Sequence, residues 1–496
     1  MATMSGAQQF IVLPTRGMRA GAEHAALAGF LNSMHVATAS RTAFNVRGAP
    51  GLTVRVLDSI HEDGAKLVEI APEAMVALRT QQPGLRLVPV VYYRPAVVPR
   101  FAAASTPRTA ARTTAATIKL RVVSKADGGP VAGAMVVAFT DFAHRVGAQG
   151  TTNSKGEVSL RLGAASKKLQ RLYVYPERGF WSGLRKGLTV TSGTQIGLEP
   201  VQPSFTDCLR HFYGEAPDGT GSGVTVGVID TGSGPHPDLQ IEGGVNTVLG
   251  ESPNDFGDNG EGHGTHVAGI IAARGLPPRG LRGLAPGVTL RSYRVFGKNK
   301  PSASNFAIAK AIDQAVTDQC DLINMSLGGG APDEATRVAI EDARAQGTLA
   351  IVAAGNDDRS PVSFPASDAL AIAVSALGRK GTFPKGTTES GDVAAPFGTD
   401  KNNFVAGFSN IGLEIDLIGS GVGILSTVPG GYAPMSGTSM ACPAVTGFAA
   451  RLLARRADIR NMPRGPARSD AVAQALFEAA TPLGFAPKFE GHGLPR

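Results

Sequence analysis

The sequence predicts an α/β fold whose largest domain is built on a parallel sheet, preceded by a small α/β unit and a small β-sandwich. After Gly223, buried strand-like runs alternate with helical runs, which is the pattern that a parallel sheet requires. Residues 117–200 are almost entirely strand-like, whereas residues 8–95 combine short strands with a helix. A length of 496 residues fits such a division, because domains average about 150 residues.

The first unit, residues 8–95, is predicted to contain four strands and one helix. The strands are QFIVLP, LTVRVLDSI, KLVEIA and the closing run LRLVPVVYY at residues 85–93. The helix is EAMVALRTQQPG, which ends at Gly84. Residues 97–116 are rich in Ala, Thr, Arg and Pro without any periodicity, and this composition is typical of a linker.

The second unit, residues 117–200, consists of short strands separated by turn residues. The strands are TIKLRVVS, AMVVAFT, EVSLRLG, RLYVYPE and LTVTSG, and turn sequences such as ADGGP and NSKGE lie between them. This spacing predicts a small β-sandwich. The third unit, residues 205–496, carries the alternating strands and helices.

Charge and hydropathy limit the partners of the protein. The formal charge is +8, which divides into +13 for residues 1–200 and −5 for residues 201–496. The cations are scattered and no nucleic-acid motif accompanies them, so a basic N-terminal part that complements an acidic C-terminal part is favoured over nucleic-acid binding. No run reaches the roughly 18 apolar residues that span a bilayer, so no membrane partner is expected.

The cysteines and the N-terminus indicate the cellular compartment in which the protein is expected. Cys208, Cys320 and Cys442 are odd in number and far apart, so we expect free thiols, with at most one bridged pair, and no zinc site. The N-terminus lacks the basic segment and apolar core of a Sec signal peptide. The protein is therefore expected to be cytoplasmic or exported by another route.

Two candidate catalytic groups lie where a strand ends and where a helix begins. The run VTVGVIDTG predicts a central strand with Asp230 at its carboxyl end, where functional groups of parallel sheets gather, although such a residue is often only a turn or capping residue. The run GHGTHVAGIIAA places His263 at a helix start, where it can act as a general base. His266 three residues later suggests a metal pair, but no third ligand stands out.

A third candidate, Ser439, opens the helix in MSGTSMACPAVTGFAARLLA. By itself a serine at a helix N-terminus is usually an N-cap. The residues around Ser439 do not form a Gly-x-Ser-x-Gly elbow, which disfavours a lipase or esterase.

Together the three blocks resemble the subtilisin-like serine peptidases, whose catalytic residues follow the order Asp, His, Ser. The segment AIVAAGND resembles the one that carries the oxyanion asparagine, which implies that role for Asn356. The segment NMSLGGG resembles the strand that binds substrate, which implies that role for Ser326, Leu327, Gly328 and Gly329. The resemblance extends from about residue 222 to residue 480 and implies a subtilisin-like catalytic domain.

The resemblance implies a serine endopeptidase that hydrolyses proteins or peptides through an acyl-enzyme, with Asp230, His263 and Ser439 as the catalytic triad. A catalytically inactive binding protein is disfavoured because the triad and the oxyanion asparagine are all present. A peptide ligase is the other alternative, because an amine can intercept the acyl-enzyme. No cofactor and no metal are expected, since RGLPPRGLRGLAP replaces a loop that binds calcium in many members; structural calcium elsewhere is not predicted.

The N-terminal units also carry resemblances. Residues 8–95 resemble the propeptide of the family, which implies a self-processing zymogen, and we expect self-cleavage between about Val97 and Ala116. A competing site lies in residues 200–222. Residues 117–200 resemble transthyretin-like or carboxypeptidase-regulatory-like sandwiches, for which substrate docking and a stabilising spacer are both open. Asp357 and Asp358 follow the oxyanion asparagine and could favour a basic residue before the cleaved bond by charge complementarity, but a solvated loop with broad or apolar specificity is the favoured alternative.

Overall fold

The structure is a computed structural model, and it describes residues 7–21, 25–39, 44–45, 53–98, 100–103 and 117–496. The described residues form three packed units, which correspond to the N-terminal α/β region, the strand-rich region and the large C-terminal region. Residues 104–116 of the predicted linker lie outside the described residues.

The N-terminal unit contains a five-stranded sheet in the order β2-β3-β4-β1-β5, and two helices accompany this sheet within the described residues. Its elements are β1 (Gln8–Leu13), α1 (Ala25–Ala39), β2 (Phe44–Asn45), β3 (Thr53–Ser59), β4 (Lys66–Ile70), α2 (Pro72–Gln81) and β5 (Arg86–Pro89). Leu27, Leu31 and Met34 of α1 are buried in the core that this sheet and α2 share.

Three details of this unit differ from the sequence prediction. Helix α1 was not predicted, and helix α2 ends at Gln81, three residues before Gly84, because Pro83 disfavours a helical residue before it. The predicted closing strand at residues 85–93 is two strands, β5 and β6 (Tyr92–Pro95). Strand β5 completes the sheet, whereas β6 leaves the unit and pairs with the C-terminal one.

The second unit consists of antiparallel and mixed sheets around a core of buried aliphatic side chains. The two larger sheets have the orders β10-β7-β15 and β13-β12-β8-β9, and β11 pairs with β14. The strands are β7 (Thr117–Ser124), β8 (Met135–Asp141), β9 (Val146–Thr151), β10 (Glu157–Arg161), β11 (Ser166–Lys168), β12 (Arg171–Tyr175), β13 (Gly183–Lys186), β14 (Thr189–Thr191) and β15 (Gln195–Leu198). Strand β9 is rich in Gly and polar residues and was not predicted.

The C-terminal unit is an α/β domain on a mainly parallel eight-stranded sheet, with the order β17-β18-β16-β20-β22-β23-β24 and β25 beside β23. Its strands are β16 (Thr225–Asp230), β17 (Gly244–Asn246), β18 (Thr289–Arg294), β19 (Ala303–Ser304), β20 (Leu322–Met325), β21 (Leu327–Gly328), β22 (Leu349–Ala353), β23 (Ile372–Arg379), β24 (Asn403–Val405), β25 (Leu417–Ser420), β26 (Ile424–Val428), β27 (Gly431–Met435), β28 (Ala480–Thr481) and β29 (Leu494–Pro495). Its helices are α3 (Cys208–Tyr213), α4 (His263–Ala272), α5 (Asn305–Thr317), α6 (Glu334–Ala345), α7 (Thr438–Arg455), α8 (Ala457–Arg460), α9 (Pro466–Glu478) and α10 (Pro487–Glu490).

Two hydrophobic cores cover the two faces of this sheet. One core includes α4 and α7, and the other includes α5 and α6. The second core also contains residues of the N-terminal sheet, among them Ile11, Leu13, Leu67 and Val88. The N-terminal sheet is therefore packed against α5 and α6.

The three cysteines are buried and free, as predicted. Within the described ranges, no helix has the length and apolar character needed to cross a membrane.

Candidate active site

Asp230, His263 and Ser439 each lie at an end of a regular element, on one side of the sheet. Asp230 is the last residue of β16, His263 is the first residue of α4, and Ser439 is the second residue of α7. All three are almost completely buried, with exposures of 0%, 4% and 0%. The helices α4 and α7 pack against each other, which holds the histidine and the serine on adjacent helix N-termini.

The carboxylate of Asp230 orients the imidazole of His263. The Nδ1 of His263 lies 2.7 Å from Oδ1 of Asp230, which leaves Nε2 as the nitrogen available to a third group. Burial lowers the pKa of His263, but the charge and hydrogen bond of Asp230, together with the charges of Glu261 and Asp258, raise that pKa above its ordinary value. The arrangement therefore stabilises an imidazolium in a buried position.

The hydroxyl of Ser439 is hydrogen-bonded to a backbone carbonyl and not to the histidine in this structure. Its Oγ donates to the backbone carbonyl of Ser326 at 3.1 Å, and the buried Nε2 of His263 has no hydrogen-bond partner among the described residues. The hydroxyl must exchange this hydrogen bond for one to Nε2 before His263 can take its proton.

Asn356 presents an amide N–H to the same place. Its Oδ1 accepts hydrogen bonds from the backbone N–H of Thr438 at 2.8 Å and from the Thr438 hydroxyl at 3.0 Å, which fixes the orientation of the amide. Its Nδ2 donates to the carbonyl oxygen of Ala96, and the backbone N–H of Ser439 donates to that oxygen at 3.2 Å. Two donors thus converge on one carbonyl, as in an oxyanion hole.

The chain around Ala96 occupies the site as an extended peptide. Strand β6 lies between β19 and β21 and pairs antiparallel with both. The backbone N–H of Ala96 donates to the carbonyl of Ser326 at 3.0 Å. Of the residues predicted to bind substrate, Ser326, Leu327 and Gly328 contact this peptide through their backbones, whereas no pairing places Gly329 on it.

Sequence reasoning did not find the second wall of this cleft. Ala303 and Ser304 of β19 pair with Tyr93 and Tyr92, more than 200 residues earlier in the chain. The pair Ala-Ser carries no local signal of substrate binding. The motif that identifies the first wall of the cleft lies in residues 324–330 and does not extend to this segment.

The ring of Tyr93 is fully buried in a pocket beside β21. Its hydroxyl lies 2.9 Å from the carbonyl oxygen of Ala331 and also within hydrogen-bond distance of Oδ2 of Asp333, and these two acceptors share its single proton. A side chain at Gly330 would collide with the ring, so the pocket requires glycine there. Burial and the hydrogen bond to Asp333 raise the pKa of Tyr93, which keeps the phenol protonated as a donor.

The model of the Subtilase family matches residues 221–493. The chain belongs to the subtilase family. Subtilisin BL from Lederbergia lenta is 39% identical over 232 residues, which are 47% of this chain and 76% of that protein. Alkaline elastase YaB from Bacillus sp. (strain YaB) is 39% identical over 276 residues, which are 55% of this chain and 64% of that protein.

This subtilase is therefore a serine endopeptidase that acts on protein or peptide substrates without a catalytic cofactor. Its α/β catalytic fold is the one that the sequence predicted. Within the described residues, no group of three or more His, Cys, Asp or Glu side chains could hold a metal ion.

Two further groups near the subtilase site are accounted for by their contacts. The Nε2 of His266 lies 3.1 Å from each of the carbonyls of Ile424 and Ala433, and burial lowers its pKa to about 3. This contact makes His266 a structural residue. Asp357 accepts a hydrogen bond from Nδ2 of Asn410 at 3.0 Å, and its side chain is directed to that partner.

Proposed function

We propose that this serine endopeptidase is a self-processing zymogen in which Asp230, His263 and Ser439 form the triad, Asn356 supports the oxyanion, and the first bond cleaved joins Ala96 to Val97. One observation carries the proposal: the carbonyl oxygen of Ala96 accepts from both Asn356 Nδ2 and the Ser439 backbone N–H. The intact chain therefore occupies the site in the way a substrate would.

The chemistry follows from these contacts. Ser439 Oγ, once hydrogen-bonded to His263, attacks the carbonyl carbon of Ala96 while Nε2 of His263 takes the hydroxyl proton. The negative charge that develops on the carbonyl oxygen is stabilised by the two N–H donors. The imidazolium, which Asp230 stabilises, then gives its proton to the amine of Val97 as the bond to Ala96 breaks. Water then attacks the acyl group: His263 takes a proton from the water and returns it to Ser439 Oγ as the acyl group is released.

The backbone around the scissile bond supports this assignment. The paired strand β6 aligns residues 92–95 between β19 and β21, which is how an extended peptide gains affinity from main-chain hydrogen bonds. Gly437 precedes the serine helix, and a side chain at this position would come within 2.9 Å of the Ala96 carbonyl. A glycine at residue 437 therefore keeps the approach to the bond open.

The N-terminal unit has the contacts expected of a propeptide that remains bound after cleavage. Its sheet shares a hydrophobic core with α5 and α6. Ion pairs join Arg86 to Glu334 at 2.8 Å and Lys310 to Asp58 at 2.7 Å. Since β6 continues from this unit into the cleft, its end at Ala96 would stay in the site as a product and inhibit the enzyme.

The competing cleavage site in residues 200–222 has no comparable support. Cys208, Leu209 and Arg210 of α3 are buried, and Asp207 caps this helix by accepting from the N–H of Arg210. A helix held in the core does not present an extended bond to Ser439.

The proposal is tested by incubating the purified precursor and a Ser439→Ala precursor with an unfolded protein substrate. The wild-type chain should divide once after Ala96 and then hydrolyse the substrate to fragments with free carboxyl and amino ends. The Ser439→Ala chain should do neither. Joined fragments would favour the ligase alternative, and binding without cleavage would favour an inactive scaffold.

A further inference from the structure

Residues 100–103, which follow the scissile bond, lie against the outer face of the β-sandwich. In β8 and β12, alternate residues point to opposite faces. Val136, Ala138, Leu172 and Val174 form the inner core. The other face carries a cluster that includes Phe139, Tyr173 and Tyr175, against which Phe142, Phe101 and Ala103 pack. We name Phe139, Phe142, Tyr173 and Tyr175 the aromatic cradle.

Phe101, the fifth residue after Ala96, is inserted into this cradle. Its ring centroid lies 4.8 Å from that of Tyr173 and 5.2 Å from that of Phe142. Its backbone N–H donates to the hydroxyl of Tyr175 at 3.2 Å. Two residues later, the N–H of Ala103 donates to Oε1 of Gln149 at 2.9 Å.

Two arginine side chains, Arg145 and Arg100, lie over rings at the aromatic cradle. The guanidinium carbon of Arg145 lies 4.6 Å from the Phe101 ring centroid and 4.1 Å from that of Phe142. Its buried Nη1 has no hydrogen-bond partner among the described residues, so the rings supply its electrostatic contact. Arg100 lies over Tyr175 at 5.6 Å. Residues 100 and 101 therefore contact aromatic and cationic side chains of the sandwich.

The sandwich is fixed relative to the active site, so the cradle is fixed as well. The N–H of Leu184 donates to the carbonyl of Gly386 at 2.9 Å, and the N–H of Gly179 donates to that of Tyr432 at 2.8 Å. Trp181, the one tryptophan of the sequence, is buried against Leu281 and Leu425 of the catalytic unit.

Near the scissile bond itself, the leaving side is weakly held. The N–H of Val98 lies 3.4 Å from the carbonyl of Ser436, a long hydrogen bond, whereas β6 is paired on both edges. The position of the Val97 amine, which must receive a proton from His263, therefore depends on where the chain is anchored farther on.

We propose that the sandwich is a positioning domain for self-processing: its aromatic cradle binds residues 100–103 and holds the Ala96–Val97 bond in line with Ser439. The proposal rests on the self-processing function above. Phe101 is a positioning residue, and the ligand of the cradle is this segment of the same chain, which stays bound to the sandwich after the bond is cut.

The first experiment measures the first-order rate of self-processing in the refolded precursor. Phe101→Ala should slow it about tenfold, because the ring contacts that place the leaving segment are lost. Phe101→Tyr, which retains the ring, should restore a rate near that of the wild type. Val146→Ala is the matched control, since it removes an exposed apolar side chain from the same sheet and should leave the rate unchanged.

The processed enzymes should all hydrolyse the chromogenic peptide Tyr-Arg-Pro-Ala-p-nitroanilide equally, because that peptide has no residues on the leaving side. A Phe101→Ala precursor that processes at the wild-type rate would overturn the proposal. So would an equal loss of processing and of peptide hydrolysis, which would indicate a general defect of the catalytic unit.

The second experiment does not depend on cleavage. In the uncleavable Ser439→Ala precursor, hydrogen exchange should show protected amides at Phe101 and Ala103, and Phe101→Ala should remove this protection while residues 92–96 stay protected. Unprotected amides in residues 100–103 would reject the cradle, even in a chain that processes itself. Protection in a chain whose Ser439-intact form never processes would retain the cradle as a binding site and reject its role in self-processing.

Discussion

The carbonyl oxygen of Ala96 lies 3.2 Å from the backbone nitrogen of Ser439, whose side chain is the proposed nucleophile. The backbone N–H of Ala96 in turn donates to Ser326, and the same Ser326 carbonyl accepts the Ser439 hydroxyl at 3.1 Å. One carbonyl group thus holds both the peptide and the resting hydroxyl. Exchange of the hydroxyl's hydrogen bond to Ser326 for one to His263 is the step that converts this bound arrangement into a reactive one.

The mature enzyme is expected to begin at Val97. N-terminal sequencing of the processed catalytic chain checks this, and intact mass of the released fragment gives the same boundary independently. The sequence alone predicts a site between about Val97 and Ala116, and the contacts of Ala96 support a bond at the start of that interval. A first residue beyond Pro200, or an active chain without any cut, would contradict the assignment.

Replacement of Ser439 by Ala is expected to abolish both self-processing and hydrolysis of added peptides without unfolding the chain. The side chain is small and lies in the first turn of α7, so circular dichroism and the melting temperature should change little. Because the triad acts as a unit, the double variant Ser439→Ala with His263→Ala should be little worse than either single one. Losses that multiply in the double variant would argue against a shared mechanism.

The catalytic side chains could be predicted from the sequence because each of them lies in a local motif of its own. Asp230, His263 and Ser439 lie at element ends that hydrophobic patterning identifies, and the structure brings the aspartate and histidine within 2.7 Å. The rotamer of Ser439, which donates to Ser326, has no sequence signal because it depends on packing between distant segments.

The parts that could not be predicted depend on long-range pairing. The run at residues 85–93 is apolar except for Arg86, so its pattern suggests one strand; the break after Pro89 arises because Tyr92 and Tyr93 pair with Ser304 and Ala303. Helix α1 was missed because the buried stripe of Leu27, Leu31 and Met34 is flanked by Ala and Gly, so the sequence shows little contrast between its apolar and exposed faces. The sequence predicts that the aromatic residues of β12 belong to a sandwich. It does not predict that those on the outer face contact Phe101, because that contact joins distant segments of the chain.

Asn356 is expected to matter for the rate of the chemical step. Its Nδ2 donates to the carbonyl oxygen, so Asn356→Ala should lower kcat by about 10²–10³, the loss known for the oxyanion asparagine of a subtilisin, with little change in KM. Steady-state kinetics on a short peptide measures both constants. Thr438→Val is the control: it removes one of the two donors that orient the amide and the acceptor of the Gly355 N–H, but it retains the amide that contacts the carbonyl oxygen, so it should lower kcat less.

The pH dependence should report the charges around His263. Asp230, Glu261 and Asp258 raise its pKa, and the base must be neutral to act, so kcat/KM should rise with pH through a value above 6.5, the ordinary histidine pKa. Glu261→Gln removes one of these charges and should move the rising limb to lower pH. Glu341→Gln, a charge change on α6, should leave the limb in place. An unmoved limb in Glu261→Gln would mean that this charge is screened at the site.

Selectivity should extend to the fourth residue before the cleaved bond, the position that Tyr93 occupies. The ring is fully buried, and its hydroxyl contacts the Ala331 carbonyl and the Asp333 carboxylate. A carboxylate in a buried pocket loses its hydration when the pocket is filled, so a ligand without a hydroxyl leaves Oδ2 of Asp333 without a donor, although Oδ1 keeps its own partners. The pocket therefore discriminates between tyrosine and phenylalanine by the cost of that unpaired group.

The processed enzyme is expected to cleave Tyr-Arg-Pro-Ala-p-nitroanilide with a kcat/KM about tenfold above that of Phe-Arg-Pro-Ala-p-nitroanilide, because a hydrogen bond to a charged partner is worth about that factor or more. Asp333→Asn provides the decisive comparison. Its Oδ1 still caps α6 by accepting from the N–H of Thr336, but the Oδ2 acceptor is replaced by an NH₂ donor. The preference for tyrosine should then shrink while cleavage of the phenylalanine peptide is retained, because the tyrosine hydroxyl can only exchange its charged acceptor for a weaker, neutral hydrogen bond from the amide. Equal rates for both peptides in the wild type would show that the pocket recognises only the ring.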